Sequence, residues 1–384
     1  MLLVSCSDDD SPGTAAPAGT TEARPAPADS PTSLAAPASP ATRAPASIET
    51  TAAASIETTV SPTTTDPPAT TAAPTTTAPR PISPSDLELV EHPVPEGSRP
   101  HDVAPAVDGG VWYTAQNLGE LGWLDPVTGE IRHVPLGDGS RPHGVIVGPD
   151  GAPWITDGGL NAIVRVDPGL DEVTLYPLPD DRPDANLNTA VFDPSGRLWF
   201  TGQNGIHGVL DPATGAMEVF DSPRGQGPYG ITATPGGEIY FASLAGSYVG
   251  RVAADGSVLV VEPPTPSQGA RRVWSDSAGA IWVSEWNAGQ LSRYVAATDT
   301  WSTWRPPGDA PQAYAVYVDN TDIVWVSDFG GNGIHRLDPA TETFDTFELP
   351  SDPGNVRQIL GRPGEVWGAE SAADQLVVIR RAGG

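Results

Sequence analysis

The chain has 384 residues, with 20 arginines and no lysine against 48 acidic residues, for a formal charge of −28. That balance excludes a nucleic-acid partner, because nothing is available to neutralise a run of phosphates. Its one cysteine, Cys6, excludes an internal disulfide and a cysteine-built metal site.

In chain order, the first feature is Leu3-Val4-Ser5-Cys6, which resembles a bacterial lipobox with Cys6 as the lipidated residue. Residues 1–6 read as the remnant of a lipoprotein signal whose charged and apolar parts are missing, so the start codon is expected upstream. An acidic run, Asp8-Asp9-Asp10, follows. Residues 7–85 are mostly Thr, Pro, Ala and Ser, and residues 1–85 contain no Trp, Tyr or Phe. Such a segment buries too little apolar surface to repay its conformational entropy and is expected to be a disordered, extended linker. The chain is therefore expected to be extracytoplasmic, lipid-anchored to the cell membrane or secreted, with membrane contact only through the lipid. No other stretch is long and apolar enough to span a bilayer.

Residues 86–384 carry a repeat. The aromatic anchors Trp112, Trp154, Trp199, Tyr240, Trp282, Trp325 and Trp367 follow one another at intervals of 41 to 45 residues. Each unit begins with an apolar run such as Gly144-Val145-Ile146-Val147 and a turn such as Pro149-Asp150-Gly151. The anchor run comes next, as in Trp154-Ile155-Thr156-Asp157, then two more runs, such as Ile163-Val164-Arg165-Val166 and Val173-Thr174-Leu175-Tyr176. Short β-rich runs between turn residues, with no 3.6 period, predict antiparallel strands. Four per unit predict an all-β fold, a seven-bladed β-propeller with four-stranded antiparallel blades. The seventh unit stops after its third run, Leu376-Val377-Val378-Ile379, and an extra run, residues 87–93, precedes the first blade. That N-terminal strand is expected to complete blade seven and close the ring, which removes exposed sheet edges.

Eleven residues before each anchor stand His101, His143, Asn188, Tyr229, Arg271 and Tyr314; in blade seven, ten back is Arg357. Three residues after each anchor stand Ala115, Asp157, Gly202, Ser243, Glu285, Asp328 and Glu370. Antiparallel pairing puts both sets at one end of the ring. One channel mouth is therefore expected to carry His101, His143, Tyr229, Arg271, Tyr314 and Arg357 as ligand-binding candidates. Asp157, Glu285, Asp328 and Glu370 stand beside them as metal-ligating candidates. The competing reading is structural: polar groups satisfying the backbone, and a Pro-His turn copied by duplication. The anchors are expected in the core between blades. His92 and His133, on outermost strands, are expected to be exposed, and His207 and His335, on third strands, to pack. No His pair has metalloprotease spacing and no Ser sits in a nucleophile elbow, so no catalytic residue is assigned.

The motifs Pro142-His143-Gly144 and Pro228-Tyr229-Gly230, the strands Trp154-Ile155-Thr156-Asp157 and Trp282-Val283-Ser284-Glu285, and Tyr176-Pro177-Leu178-Pro179 resemble the virginiamycin B lyase, or streptogramin lyase, family across residues 86–384. The resemblance implies linearisation of a cyclic depsipeptide by elimination at its ester. In that chemistry a His base removes the proton α to a carbonyl and Mg polarises the ester. Carried over residue by residue, the family's blade-six His position is Tyr314 here. The Glu and base His that open blade seven are Asn355 and Arg357, and only Glu370 matches the second metal-binding Glu. Arginine cannot act as a base near neutrality. His101 and His143 lie on the opposite part of the ring and cannot simply replace the missing base.

The sequence therefore leaves two principal readings. The first is a monomeric, lipid-anchored propeller that binds a small molecule or peptide at the channel mouth, with Mg as an optional cofactor implied by the resemblance. The second is an enzyme, either a divergent C–O lyase or a lactonase-like hydrolase, that uses Asp157, Glu285 and Asp328 with a divalent metal. A platform for protein interaction is a third.

Overall fold

A computed structural model describes residues 83–383. Cys6 and nearly all of the linker expected over residues 7–85 lie outside the described residues.

The described strands form seven four-stranded antiparallel sheets. In six of them the four strands are consecutive in sequence, running from the channel outward. The seventh combines Val356–Arg362, Glu365–Glu370 and Gln375–Arg381 with the N-terminal strand Leu87–Pro93, paired in the register Val90↔Val378. The ring closes as the missing fourth run predicts. The innermost strands, blades one to seven, are Pro100–Pro105, Pro142–Val147, Leu187–Phe192, Pro228–Ala233, Ala270–Ser275, Ala313–Val318 and Val356–Arg362. A short 3-10 turn, Pro84–Asp86, precedes the first strand and was not foreseen.

The apolar core is divided among the blade interfaces. Trp112 packs with Val145, Ile155 and Val164 of the next blade, and Trp367 with Val103, Val111 and Tyr113 across the closing seam. Each large apolar side chain so buried contributes about 1.5–3 kcal/mol. A buried indole N–H also needs an acceptor. The acid in or next to the first turn supplies it: Trp199 donates to Asp193 at 3.0 Å, Trp325 to Asp319 at 2.9 Å and Trp367 to Glu365 at 2.8 Å. Trp154 and Trp282 are tied to their own hairpins likewise, at 3.2 Å, whereas the Trp112 indole N–H and the Tyr240 hydroxyl have no hydrogen-bond partner among the described residues.

Two histidines depart from expectation. His133 is partly buried between Tyr113, at 2.5 Å from its hydroxyl, and Glu120, at 2.6 Å. His92 packs on Trp367 with ring centroids 5.5 Å apart. Both outermost strands lie against neighbours that shelter them. His207 packs as expected, its ring bonded to the Gly256 carbonyl at 2.9 Å.

Candidate functional site at the channel mouth

In all seven blades the register between the innermost and second strands slips by one residue just after the first pair. In blade one, Pro100 pairs with Ala115 but Val103 with Tyr113. Such a bulge re-aims side chains that would otherwise alternate between faces. Two successive positions of each innermost strand therefore face the channel, with polar side chains at both in blades one, three, five and seven. One set is the predicted set: His101, His143, Asn188, Tyr229, Arg271, Tyr314 and Arg357. The set one residue deeper is Asp102, Gly144, Thr189, Gly230, Arg272, Ala315 and Gln358.

The hydroxyl two residues after the anchor holds these bulges. Thr114 accepts from the Asp102 N–H at 3.0 Å and donates to the His143 carbonyl of blade two at 2.9 Å. Thr156 accepts from Gly144 and donates to the Asn188 carbonyl, and Ser284 accepts from Arg272 and donates to the Tyr314 carbonyl. The recurring Trp-x-Thr/Ser is therefore a latch between adjacent blades, made where the channel residues leave the backbone. The glycine of Pro-His-Gly has the matching reason: a Cβ on Gly144 would stand 2.7 Å from both the Asn188 carbonyl and the Thr156 hydroxyl.

The upper set forms a continuous packed ring. His101 lies on His143, ring centroids 3.7 Å apart, and His143 bonds the Asn188 amide at 3.0 Å. Tyr229 and Tyr314 share a hydroxyl–hydroxyl bond of 2.6 Å. The Arg271 guanidinium sits over Tyr314 at 3.6 Å, with Tyr229 and Trp286 also within 5 Å. It donates to the Tyr229 hydroxyl at 3.0 Å. Arg357 donates to Ser371 at 2.7 Å and lies 3.4 Å from the Tyr314 hydroxyl. Trp286 and Phe329, half-buried, cover Tyr314 from the rim. The structure thus brings the six ligand-binding candidates together, all buried.

The deeper set holds an ion pair that spans the channel. Arg272 of blade five donates to Asp102 of blade one at 2.8 Å and to Thr189 of blade three at 2.6 Å. Asp102 also accepts from His101 at 2.8 Å. Burial raises Asp102 to about 6, against the pull of Arg272 and Arg357. Burial, then His143 and the three neighbouring arginines, hold His101 well below the usual histidine range, so its ring is neutral. Residue-by-residue reading missed this tier. The available signals were the Arg271-Arg272 pair inside an apolar strand and the Asp that follows His101 where His143 is followed by Gly.

The four acids do not meet at the mouth. Asp157 accepts from the backbone N–H groups of Arg141, Gly159 and Leu160, each at 2.9 Å, and from Ser140. Asp328 caps the Gln312 and Gly330 N–H groups and touches His335. Burial pushes it up, but His335 and the Gln312 and Gly331 N–H groups outweigh this and hold it below its usual value. Glu285 accepts from Ser292 and Gln290 within its own blade, and burial raises it. Each of these three is occupied holding its own blade or the loop that leads into it.

Glu370 differs. Its carboxyl oxygens are buried beside the Ser351 and Glu91 side chains, with no hydrogen bond of good geometry among the described residues. Burial, then the nearby Glu91 carboxylate, raise it to about 8. A folded value above the unfolded one means the folded state holds an extra proton. Stability therefore falls as pH rises from about 4.5 through about 8, then levels. Glu370→Gln should gain roughly 4–5 kcal/mol over the wild type at pH 9 and less than about 1 kcal/mol at pH 5, read by urea denaturation. Parallel pH profiles for the two proteins would refute this.

Among the described residues, one group gathers three metal-capable side chains: His101, Asp102 and His143, whose ligand atoms lie within 4.8 Å of one another. Their donor chemistry suits a divalent cation, but Arg271, Arg272 and Arg357 impose a positive field on the same point. The Mg implied by the resemblance does not fit blade seven either. Asn355 brings no charge, Arg357 brings the wrong one, and Glu370 lies against Glu91, Gly354 and Leu349 beneath the incoming loop. Ring closure also corrects one expectation: blade one adjoins blade seven, and the Arg357 charge acts on His101. His101 stands on the blade next to the blade-seven position and His143 one blade further round, so neither lies opposite it.

The family model for the virginiamycin B lyase family matches residues 82–307. The chain belongs to the virginiamycin B lyase family. No curated protein matches it in sequence. Among solved structures, a streptogramin B lyase shares 24% identity at a TM-score of 0.71, covering 77% of this chain and 98% of that one. Virginiamycin B lyase from Staphylococcus aureus shares 20% identity at a TM-score of 0.71, covering 77% of this chain and 99% of that one. An extracellular domain of a hybrid two component system from B. thetaiotaomicron shares 15% identity at a TM-score of 0.60, covering 76% of this chain and 42% of that one. At these identities the likeness shows the propeller fold. Within the virginiamycin B lyase family, this member has a mouth ringed by buried aromatic and cationic side chains.

Proposed function

We propose that this chain is an extracytoplasmic propeller, lipid-anchored through Cys6, that binds a small molecule or peptide at the channel mouth without the family's elimination chemistry. The observation that carries the reading is Arg357. It occupies the position that the family resemblance gives to the base, it is buried, and it donates to Ser371 and toward Tyr314. A guanidinium stays protonated at any physiological pH and accepts no proton. His101, the nearest imidazole by ring order, is bonded to Asp102 at Nδ1 and packed against His143. The enzymatic alternative through Asp157, Glu285 and Asp328 has no converging carboxylates to support it.

What remains at the mouth is recognition chemistry. Trp286, Phe329, Tyr314 and Leu244 offer an aromatic and apolar rim around Arg271. Trp286 stands beside Arg271, so its fluorescence reports occupancy. Titration with an intact streptogramin B should change that emission saturably, and Arg271→Ala should weaken binding at least about tenfold. Saturable binding of equal strength in Arg271→Ala, or no binding of any cyclic or linear depsipeptide, would remove the support for this reading.

A further inference from the structure

Beyond the Asp102–Arg272 tier the far half of the channel is hollow. A cavity of ≈ 240 Å³ lies among the later residues of the innermost strands, walled by Ile146, Phe192, Ile231, Trp274, Val316 and Leu360. Its polar lining is confined to the tier itself: Thr189, Arg272 and Gln358. The packed belt separates it from the mouth already described. Ile146, Phe192, Trp274 and Leu360 are only half-buried, so the chamber is reached from the opposite end of the ring.

Arg272 decides what the chamber takes. The residue is 4% exposed, and its two terminal nitrogens are engaged by Thr189 and Asp102. Its Nε is buried and has no hydrogen-bond partner among the described residues. A buried guanidinium N–H without an acceptor costs free energy that a bound acceptor returns. Arg272 keeps its positive charge at that end, and the charges of Arg271 and Arg357 act on His101 in the same tiers, where His101 is neutral. The polar end of the chamber therefore favours an anion, while its walls favour hydrocarbon.

We propose that this chamber binds a small amphipathic monocarboxylic acid. Its carboxylate accepts from Arg272 Nε and its apolar body lies between Ile231, Val316 and Trp274. A dry cavity of about 150 Å³ accepts benzene. The larger volume here fits one ring with a short carboxylate arm. The site is separate from the mouth and stands whether or not the mouth binds a depsipeptide.

The test is calorimetric titration of the full chain with phenylpropionate and with its neutral amide. The acid should bind at least about tenfold more tightly than the amide, as expected when one partner of a hydrogen bond becomes charged. Ile146→Trp, which fills the half-buried open end, should abolish acid binding, and Val127→Ser, at an exposed turn that does not line the chamber, should leave it unchanged. Arg272→Met should erase the acid preference. If that variant does not fold, the acid–amide comparison on the wild type reads the same charge requirement. No heat with the folded wild type, equal affinity for acid and amide, or binding that survives Ile146→Trp would each overturn the proposal.

Discussion

Asp102→Ala should destabilise the propeller by about 3–5 kcal/mol, the range for removing one partner of a buried ion pair. The reason is specific to this belt. Asp102 is fully buried, and it accepts from both Arg272 and His101 at 2.8 Å. Removing it leaves Arg272 desolvated, with Arg271 and Arg357 close by and no carboxylate between them. Arg272→Met in the wild type should also destabilise, since it leaves Asp102 buried without its main counter-charge. The double variant, Asp102→Ala with Arg272→Met, should recover much of the loss, because neither buried charge then remains. Denaturant unfolding of the four proteins checks this. A single-variant loss below about 1 kcal/mol, or additive losses in the double, would mean that the pair does not hold the channel together.

The blade count, the four strands per blade and the closure by Leu87–Pro93 were legible because each rests on local chemistry repeated seven times. An anchor every 41 to 45 residues and a turn residue at each corner leave few alternatives. The upper ring was legible for the same reason, since it is a fixed offset from the anchor. The deeper tier was not. Strand alternation sends Asp102 and Arg272 to the face opposite His101 and Arg271, and only the bulge reverses that. A one-residue register slip leaves no mark in composition or periodicity. The acids were misjudged for another reason. Asp157 and Asp328 end their strands where predicted, but they turn inward to cap N–H groups of the adjoining loops. An offset gives the height of a residue in the ring, not the direction of its side chain.

The same distinction governs the chemistry. Elimination at an ester needs a group that can take a proton near neutral pH and a cation that steadies the developing charge. Reintroducing one requirement alone should not create activity, because Arg357 and the arginines around it oppose a metal, and the histidines of blades one and two are engaged with Asp102 and Asn188. The direct measurement is incubation of the full chain with an intact streptogramin B and Mg at neutral pH, followed by mass spectrometry of the macrocycle. The predicted result is recovery of the intact ring at the rate of the protein-free control. Accumulation of the linear elimination product above that control, lost on Glu370→Gln, would contradict the account and return this propeller to the catalytic members of its family.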